Sequence, residues 1–347
     1  MNANRCVALD PGTSFFQVAE KNEDGEIELK TIRNVFVELM NYDEDDIEQI
    51  LKQNNWQYVK DEDNYYVIGD SALKFARIFP GVEIRRPMQN GVLNKGENKK
   101  MLVMASIVEN AIGGAEDNNS ICCYCVSASP VDCSIDNIFH KSRLEGIIKR
   151  LGFIPKCINE AMGIVFSEKP FSYEPEEKVP FSGLTISWGA GRTNVAFAYR
   201  GLEVVGMSCN KGGDSIDYKV AEQTDSELSH IIQKKETKLD LSSDENDDDD
   251  VIFALKSYYQ NLVSYVFKNF ISEFKKIKTN FEHPVDVILA GGTSSVPGFR
   301  DMVESVVSTL DLPFKIKEIK MSKDPRNSVV KGLLIQATLS QKKLNQN

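Results

Sequence analysis

The sequence contains one arrangement of strands and glycine turns twice, and this duplication limits the folds open to the chain. The first copy opens with "CVALDPGTSFFQVAE" at 6–20, in which two apolar runs flank a short turn. The second opens with "FSGLTISWGAGRTNVAFAYR" at 181–200, again with a glycine turn between apolar runs. Each opening is followed by segments whose apolar period alternates between strand and helix. The pattern therefore predicts an α/β protein built from two related halves.

The composition fits a protein with two domains. The chain has 347 residues, 41% of them hydrophobic, and a formal net charge of -10. Such a negative charge argues against direct binding of nucleic acid. No segment approaches the ~20 consecutive apolar residues of a membrane span. The opening "MNANRC" runs directly into a strand and does not resemble a signal peptide. We expect a cytoplasmic protein with no strong membrane anchor.

The seven cysteines lie mostly inside apolar runs, which suggests reduced thiols. One alternative is a metal site formed by Cys122, Cys123 and Cys125 of "SICCYCVSAS" together with Cys133. This stretch has the pattern of a buried strand, where Cys122 and Cys123 would point to opposite faces. A buried strand is therefore favoured over a metal site. The three histidines, His140, His230 and His283, are too scattered to form a catalytic dyad.

The turns carry more polar groups than chain reversal requires. A hairpin needs Gly or Asp for its backbone angles, but "DPGTS" at 10–14 combines an acid, a glycine and two hydroxyls. "SWGAGRTN" at 187–194, "KGGDS" at 211–215 and "LAGGTSSVPGF" at 289–299 are the other glycine turns. Each alone is more often a simple turn. Four in this order indicate phosphate binding.

The turns have distinct expected roles. If the halves are related by a pseudo-twofold axis, backbone amides of the first two turns could hold one polyphosphate from both sides. Asp10 would hold Mg²⁺ through water, and the turn at 289–299 would cradle the nucleoside and a phosphate. The predicted nucleotide-binding residues are Gly12, Thr13, Ser14, Gly189, Gly191, Arg192, Thr193, Gly212, Gly213, Asp214, Gly291, Gly292 and Thr293.

In this order of motifs the chain resembles the actin-like ATPase superfamily, which includes actins, heat-shock chaperone ATPase domains and sugar kinases. "INEAMGIVFSE" is similar to the first connecting segment, and Glu160 stands where the family has the residue that orients the attacking water. "DPRNSVVKGLLIQA" is similar to the second connecting segment, with Gly332 at a helix crossing. The resemblance implies duplicated actin-like (ribonuclease H-like) domains with a nucleotide cleft between them, binding ATP or ADP with Mg²⁺.

A second stretch resembles the bacterial actins of the MreB and MamK kind. "YYVIGDSALKFARIFPGVEIRRPMQNGVL" at 65–93 is similar to their strand, "G-x-x-A" helix and "RPMxxGVI" sequence. The matching residues are Gly69, Ala72, Arg86, Pro87, Met88, Gly91 and Val92. Heat-shock chaperones and sugar kinases lack this stretch, so the resemblance is to the filament-forming branch.

The resemblance also implies domain boundaries. Domain I would comprise 1–157 plus 325–347, with a small subdomain at about 34–86. Domain II would comprise 158–324, with a reduced small subdomain at about 214–253 that contains an acidic run at 244–250. Such a run is usually a solvated loop. The family has a Glu-x-x-Lys helix that contacts adenosine, and "SELSHIIQKK" matches it only weakly. Glu227 is the candidate for the adenosine contact.

The chain departs from the family at Ser187, where relatives have an aspartate. One carboxylate near the metal is thereby lost, although Asp10 and Glu160 remain as the catalytic candidates. Phosphoryl transfer depends mainly on positioning and electrostatics. We therefore expect an enzyme that binds ATP and hydrolyses it slowly.

The function expected from the resemblance is an ATPase that forms cytoskeletal filaments by head-to-tail self-association, with a possible adaptor or cargo protein. The alternative is an actin-fold ATP-binding assembly or scaffold protein of the cell-division or pilus-assembly type that does not form filaments, or a pseudo-ATPase. A small-molecule kinase would need a general-base aspartate and a sugar pocket, and the sequence indicates neither.

Overall fold

The computed structural model describes residues 4–39, 44–62, 64–79, 81–93, 98–115, 117–135, 137–168, 180–243, 249–277, 281 and 283–346. The chain divides into two compact units. Unit 1 comprises Met1–Tyr124, Asn137–Cys157 and Ala337–Asn347, and unit 2 comprises Cys125–Asp136 and Ile158–Gln336. Among the described residues, no helix has both the length and the apolar character needed to cross a bilayer.

Unit 1 is built on a five-stranded sheet and a smaller four-stranded sheet. The strands are β1 Cys6–Pro11, β2 Phe15–Lys21, β3 Ile27–Arg33, β4 Phe36–Leu39, β5 Tyr58–Asp61, β6 Asn64–Ile68, β7 Ile84–Arg85, β8 Met88–Gln89, β9 Val92–Leu93, β10 Ile121–Val126 and β11 Ile154–Asn159. The helices are α1 Glu44–Gln53, α2 Asp70–Ile78, α3 Asn98–Ile112 and α4 Ile138–Arg150. The large sheet has the order β11-β10-β1-β2-β3 and the small one β5-β6-β4-β7.

The central strands of this sheet are buried, which explains their composition. β1 pairs parallel with β10 and antiparallel with β2. Strands covered on both faces are continuous apolar runs rather than alternating ones. Cys122 and Cys123 of β10 are fully buried, and all seven cysteines of the chain are free thiols. The expectation of a buried strand at "ICCYC" is thus confirmed.

Unit 2 repeats the arrangement of the large sheet. Its strands are β12 Gly183–Trp188, β13 Thr193–Tyr199, β14 Leu202–Cys209, β15 Val285–Ala290 and β16 Ile316–Met321. Its helices are α5 Glu160–Ser167, α6 Gly213–Thr224, α7 Leu228–Thr237, α8 Asp250–Lys275 and α9 Phe299–Ser308, with a 3-10 turn at Gly292–Ser295. The last helix, α10 Ser328–Leu344, begins in unit 2 and ends in unit 1. The sheet order β14-β13-β12-β15-β16 matches β3-β2-β1-β10-β11 of unit 1. The predicted α/β fold with duplicated halves is confirmed.

Two glycines lie where α5 and α10 cross. A Cβ atom on Gly332 would lie 1.7 Å from the carbonyl oxygen of Gly163, and one on Gly163 would lie 2.8 Å from that of Val329. The backbones of the two helices are therefore in direct contact, as the sequence predicted for Gly332. This crossing fixes α5, whose first residue is the predicted catalytic Glu160.

The acidic run ends in a residue with a structural role, although positions 244–248 lie outside the described residues. Asp249 is the N-cap of α8, where its carboxylate accepts hydrogen bonds from the amides of Val251 and Ile252. It also forms an ion pair with Lys234 of α7 at 2.5 Å. The hydrogen bond from Lys234 lowers the pKa of Asp249 below its usual range. One carboxylate thus begins the longest helix and joins it to α7.

We expect substitutions of Asp249 to separate these two roles. Asp249→Ala should lower the free energy of unfolding by about 1–2 kcal/mol, and Asp249→Asn by less, because Asn still caps a helix. A lowered folded pKa gives stability that is present above the unfolded pKa of about 3.9 and lost as pH falls through the folded value. Urea unfolding of Asp249→Asn should therefore lose part of the wild-type dependence on pH below about 4. An unchanged acid profile would show that the ion pair contributes nothing.

Candidate functional site

The first predicted phosphate turn connects β1 to β2 in unit 1. The amide of Gly12 donates to the carbonyl oxygen of Asp10 at 3.1 Å. Asn34, which is fully buried, donates through its backbone amide to Ser14 O and through Nδ2 to Gly12 O, both at 3.0 Å. Asn34 therefore fixes the carbonyl groups of this turn, and sequence reasoning missed it.

The MreB-like stretch contacts this turn directly. β8 and β9 form a hairpin whose two central residues, Asn90 and Gly91, have φ values of 51° and 71°. Asn-Gly is the preferred pair for such a turn because both residues tolerate positive φ. The amide of Gly91 donates to Oγ1 of Thr13 at 3.1 Å. Since Thr13 accepts this bond, its hydroxyl proton remains available to another acceptor.

The second phosphate turn connects β12 to β13 in unit 2. Ser187 pairs with Asn194 and Trp188 with Thr193 across the two strands. The amide of Gly189 donates to the carbonyl oxygen of Arg192 at 3.0 Å, and this bond closes the turn. A Cβ atom on Gly189 would lie 2.6 Å from that same oxygen, so only glycine fits.

Three of the four predicted turns meet around the carbonyl groups of this second turn. Gly189 O accepts hydrogen bonds from the amide of Gly213 at 3.0 Å and from the hydroxyl of Thr293 at 2.9 Å. Ala190 O accepts from the amide of Asp214 at 2.9 Å. A Cβ atom on Gly212 would lie 2.5 Å from both carbonyl oxygens. The N-terminus of α6 and the turn after β15 are therefore fixed to the second phosphate turn.

Several of the groups expected to contact phosphate form hydrogen bonds within the protein. The amides of Gly12 and Gly189 donate within their own turns, and those of Gly212 and Gly291 donate to Ser215 Oγ and Pro325 O. The hydroxyl of Thr193 donates to Lys211 O at 2.9 Å. These bonds shape the turns. Contact of the predicted residues with phosphate stays a prediction.

Glu160 is held by the second turn. It is the first residue of α5, whose N-cap Asn159 accepts from the amide of Ala161. Oε1 of Glu160 accepts from the hydroxyl of Ser187 at 2.8 Å, and Oε2 accepts from Nδ2 of Asn194 at 2.7 Å. Ser187, at the position of the family's aspartate, thus acts as a hydrogen-bond donor to the predicted catalytic carboxylate.

Asn194 is a site residue that sequence reasoning missed. The residue is 1% exposed, and its Oδ1 accepts from the amide of Ala128 at 3.2 Å while its Nδ2 donates to Glu160. In the sheet Asn194 pairs directly with Ser187. A directly paired serine and asparagine are unusual in a buried part of a sheet, where polar side chains need hydrogen-bond partners.

Arg192 carries a buried positive charge in the same turn. Its residue exposure is 2%, and its Nε donates to Oδ1 of Asn210 at 3.4 Å. The amide of Asn210 in turn donates to both carboxylate oxygens of Asp132, at 2.9 and 3.0 Å. Burial lowers the pKa of Arg192, while electrostatic interactions with Cys133, Asp132 and Glu160 oppose that shift.

Glu227 lies outside this group of contacts. It is the exposed N-cap of α7, and within the described ranges no hydrogen bond joins it to the glycine turns. The lysines of α7 are engaged elsewhere: Lys234 pairs with Asp249, and Lys235 pairs with Asp217 at 2.5 Å. An adenosine contact by Glu227 stays a prediction.

An open cavity of about 490 Å³ lies beside the turn that follows β15. Its lining includes Ser294 and Ser295 from this turn, Phe299 and Arg300 from the start of α9, and Arg326 from the segment before α10. The volume is in the range of small-molecule sites. It adjoins the residues predicted to cradle a nucleoside.

The two turns differ in their suitability for Mg²⁺. Asp10 places a half-buried carboxylate at the end of β1, a suitable acceptor for metal-bound water. In unit 2, Glu160 is bonded by two neutral donors and lies near a guanidinium. Within the part of the chain that the structure describes, no group of three or more His, Cys, Asp or Glu residues could hold a metal ion.

Comparisons with known proteins agree with this architecture. Solved structures with the same fold include the "MamK double helical filament" (18% identity, 96% of this chain and 98% of that chain, TM-score 0.67). MreB5 of Spiroplasma citri matches in its ADP-bound form (14% identity, 99% of both chains, TM-score 0.68) and in its AMPPNP-bound form (14%, 100% and 99%, TM-score 0.69). No curated protein matches the sequence.

The fold is therefore the actin-like fold, and the resemblance to the MreB and MamK kind that the sequence predicted is confirmed. The family model described as Volactin matches residues 6–337, nearly the whole length of the sequence. The chain belongs to the Volactin family.

Proposed function

We propose that the protein binds ATP and ADP, assembles into filaments and hydrolyses ATP slowly. The observation that carries the proposal is the meeting of three glycine turns at Gly189 and Ala190, next to Glu160 at the start of α5. In support, similar structures include a MamK double helical filament and MreB5 bound to ADP and to AMPPNP.

The turns suit a polyphosphate in chemical terms. The N-terminus of α6 begins at Gly213 and is fixed beside the second turn, so its partial positive charge favours an anion there. Gly292 and the cavity beside it would take the nucleoside. Mg²⁺, held through water by Asp10, would neutralise phosphate charge. Glu160 would orient the attacking water.

Slow turnover follows from how Glu160 is held. Both of its carboxylate oxygens already accept a hydrogen bond, from Ser187 and Asn194. A water molecule can therefore use only the lone pairs of Glu160 that these two donors leave unoccupied. The same observation favours the second candidate function, an ATP-binding scaffold or pseudo-ATPase of the same fold that does not assemble, in which Glu160 has only a structural role.

We expect Asp10→Ala to abolish the part of ATP binding that depends on Mg²⁺, because Asp10 is the acid beside the first turn. Asp24→Ala is the control, since Asp24 lies in the next hairpin turn, exposed and between β2 and β3. Calorimetric titration of ATP with and without Mg²⁺ measures the effect. An Asp10→Ala protein with the wild-type response to Mg²⁺ would remove Asp10 from the proposed site.

We expect purified protein to sediment as polymer with Mg-ATP and to show filaments by electron microscopy. Head-to-tail contacts do not close and therefore give open assemblies. The net charge of -10 makes subunits repel each other, and salt above about 0.1 M screens that repulsion. Assembly should thus depend on ionic strength. If the protein binds ATP but stays monomeric at every salt concentration, the scaffold function is favoured. An adaptor or cargo protein could then be sought by pull-down.

A further inference from the structure

The start of α5 lies on one face of the unit 2 sheet and is held there by polar side chains. Thr185 of β12 is fully buried and donates from Oγ1 to the carbonyl oxygen of Ala161 at 2.9 Å. Ser187 of β12 and Asn194 of β13 donate to the carboxylate of Glu160 at 2.8 and 2.7 Å. Residues two apart on a strand share a face, so these contacts all come from the same side of the sheet.

A bulge in β14 turns a carboxylate of a third strand toward this face. Ala196 and Ala198 are two residues apart on β13, whereas their partners on β14, Gly206 and Glu203, are three residues apart. β14 therefore contains one extra residue, and bulges of this kind redirect side chains. Glu203 and Gly206 share a face because their partners do. Ala196 also pairs with Thr185, so this is the face that holds α5.

Glu203 binds the N-cap of α5 from this position. Its Oε2 accepts a hydrogen bond from Nδ2 of Asn159 at 3.0 Å, while Oδ1 of Asn159 accepts from the amide of Ala161 at 3.2 Å. The two bonds use opposite ends of the Asn159 amide group and therefore fix its orientation. Asn159 directly precedes Glu160 in the chain. The position of this cap thus determines where the Glu160 side chain begins.

The glycine at 206 leaves room for the contact between Glu203 and Asn159. Glycine in the interior of a strand weakens the strand and often marks the close approach of another group. A Cβ atom on Gly206 would overlap Oε1 of Glu203 and would lie 2.7 Å from Nδ2 of Asn159. The space that a side chain would fill is therefore occupied by the two groups that bind each other.

We propose that Glu203 is a positioning residue for ATP hydrolysis, which acts through Asn159 to hold Glu160 where it can bind the attacking water. This inference rests on the proposed role of Glu160 in hydrolysis. Glu203 acts on the helix that begins with Glu160 and not on the glycine turns. Its loss should therefore change the rate of hydrolysis and leave the affinity for ATP unchanged.

The test is single-turnover hydrolysis at saturating ATP, measured beside ATP affinity by calorimetry. Glu203→Ala should slow hydrolysis about three- to tenfold, the loss expected for one hydrogen bond, with ATP affinity within about twofold of the wild type. Glu203→Gln, which keeps an acceptor oxygen, should restore most of the rate. Glu318→Ala is the control, because Glu318 is exposed on β16 at the opposite edge of the same sheet.

Gly206→Ala tests the same contact without removing a polar group. The added Cβ atom should separate Glu203 from Asn159 and slow hydrolysis by about the same factor as Glu203→Ala. The unfolding midpoint should stay at or above that of the wild type, because alanine is better tolerated than glycine inside a strand. The variant with both substitutions should be no slower than Gly206→Ala alone, since both act through one contact.

The outcomes separate this inference from the proposed function. Wild-type rates in Glu203→Ala and Gly206→Ala, beside a slow Glu160→Gln, would overturn the inference and leave the proposed function standing. Slower hydrolysis matched by an equal loss of ATP affinity would also overturn it, because Glu203 would then act on binding. If the wild type itself hydrolyses no ATP, the proposed hydrolysis fails and the inference fails with it.

Discussion

Replacing Gly332 with alanine is expected to lower the free energy of unfolding by at least about 3 kcal/mol, the largest stability effect that we foresee. The added Cβ atom would lie 1.7 Å from the carbonyl oxygen of Gly163, so α5 and α10 must separate. The atom that it meets belongs to a helix backbone, which cannot rotate away as a side chain could. Because Glu160 begins α5, ATP hydrolysis should be lost together with stability.

Gly146→Ala is the matched control for this experiment. Gly146 also lies inside a helix, α4, but a Cβ atom there meets nothing within 4 Å. Alanine in an open helical position stabilises by about 0.5–1 kcal/mol. Thermal and urea unfolding of the two variants should thus shift in opposite directions. Similar midpoints for both would contradict a tight crossing at Gly332.

Glu160→Gln is expected to slow ATP hydrolysis by about a hundredfold or more while leaving ATP affinity within a few-fold, because a positioned carboxylate contributes about 10²–10⁴ to such reactions. Glutamine keeps the shape of the side chain and can still accept a hydrogen bond through one oxygen. The charge is lost, and with it the capacity to orient and deprotonate water. Single-turnover hydrolysis, measured beside ATP binding, separates the two effects.

Glu168→Gln is the control, since Glu168 lies directly after the opposite end of α5. Burial raises the pKa of Glu168, with an opposing hydrogen bond from Ser322, so the neutral glutamine should fit there. Its hydrolysis rate should remain that of the wild type. Equal rates in Glu160→Gln and wild type would assign Glu160 a structural role and favour the pseudo-ATPase. Ser187→Asp tests the same point. Because it restores the carboxylate that relatives have at this position, we expect faster hydrolysis with Mg²⁺, although the hydrogen bond from Ser187 to Glu160 is lost.

The features that local chemistry determines could be predicted from the sequence. Glycine turns after apolar runs identified the positions of Gly12, Gly189 and Gly291, and the repetition of the pattern predicted two similar sheets. Gly332 could be placed at a helix crossing by resemblance. Each of these depends on a short stretch of chain whose backbone requirements are visible in its residues.

The hydrogen bonds between turns could not be predicted in this way. The bonds of Thr293 and Gly213 to Gly189 O depend on how β12 and β15 pair, which no single stretch specifies. Asn34 and Asn194 were missed for the same reason, because an asparagine is ordinary in sequence and acquires its role only from its tertiary partners. The amide of Gly189 shows the converse case, since a predicted phosphate donor closes its own turn.

The buried thiols of the two sheets give the protein an internal reporter of local opening. Burial raises the pKa of Cys123 in unit 1 and of Cys209 in unit 2, each to about 12. Alkylating reagents, which react with thiolates, therefore modify these two cysteines only after the surrounding sheet opens. Peptide mass mapping after timed alkylation of the native protein would follow the opening rate of each unit separately. A ligand that slowed labelling at one position and not the other would reveal which unit it holds closed.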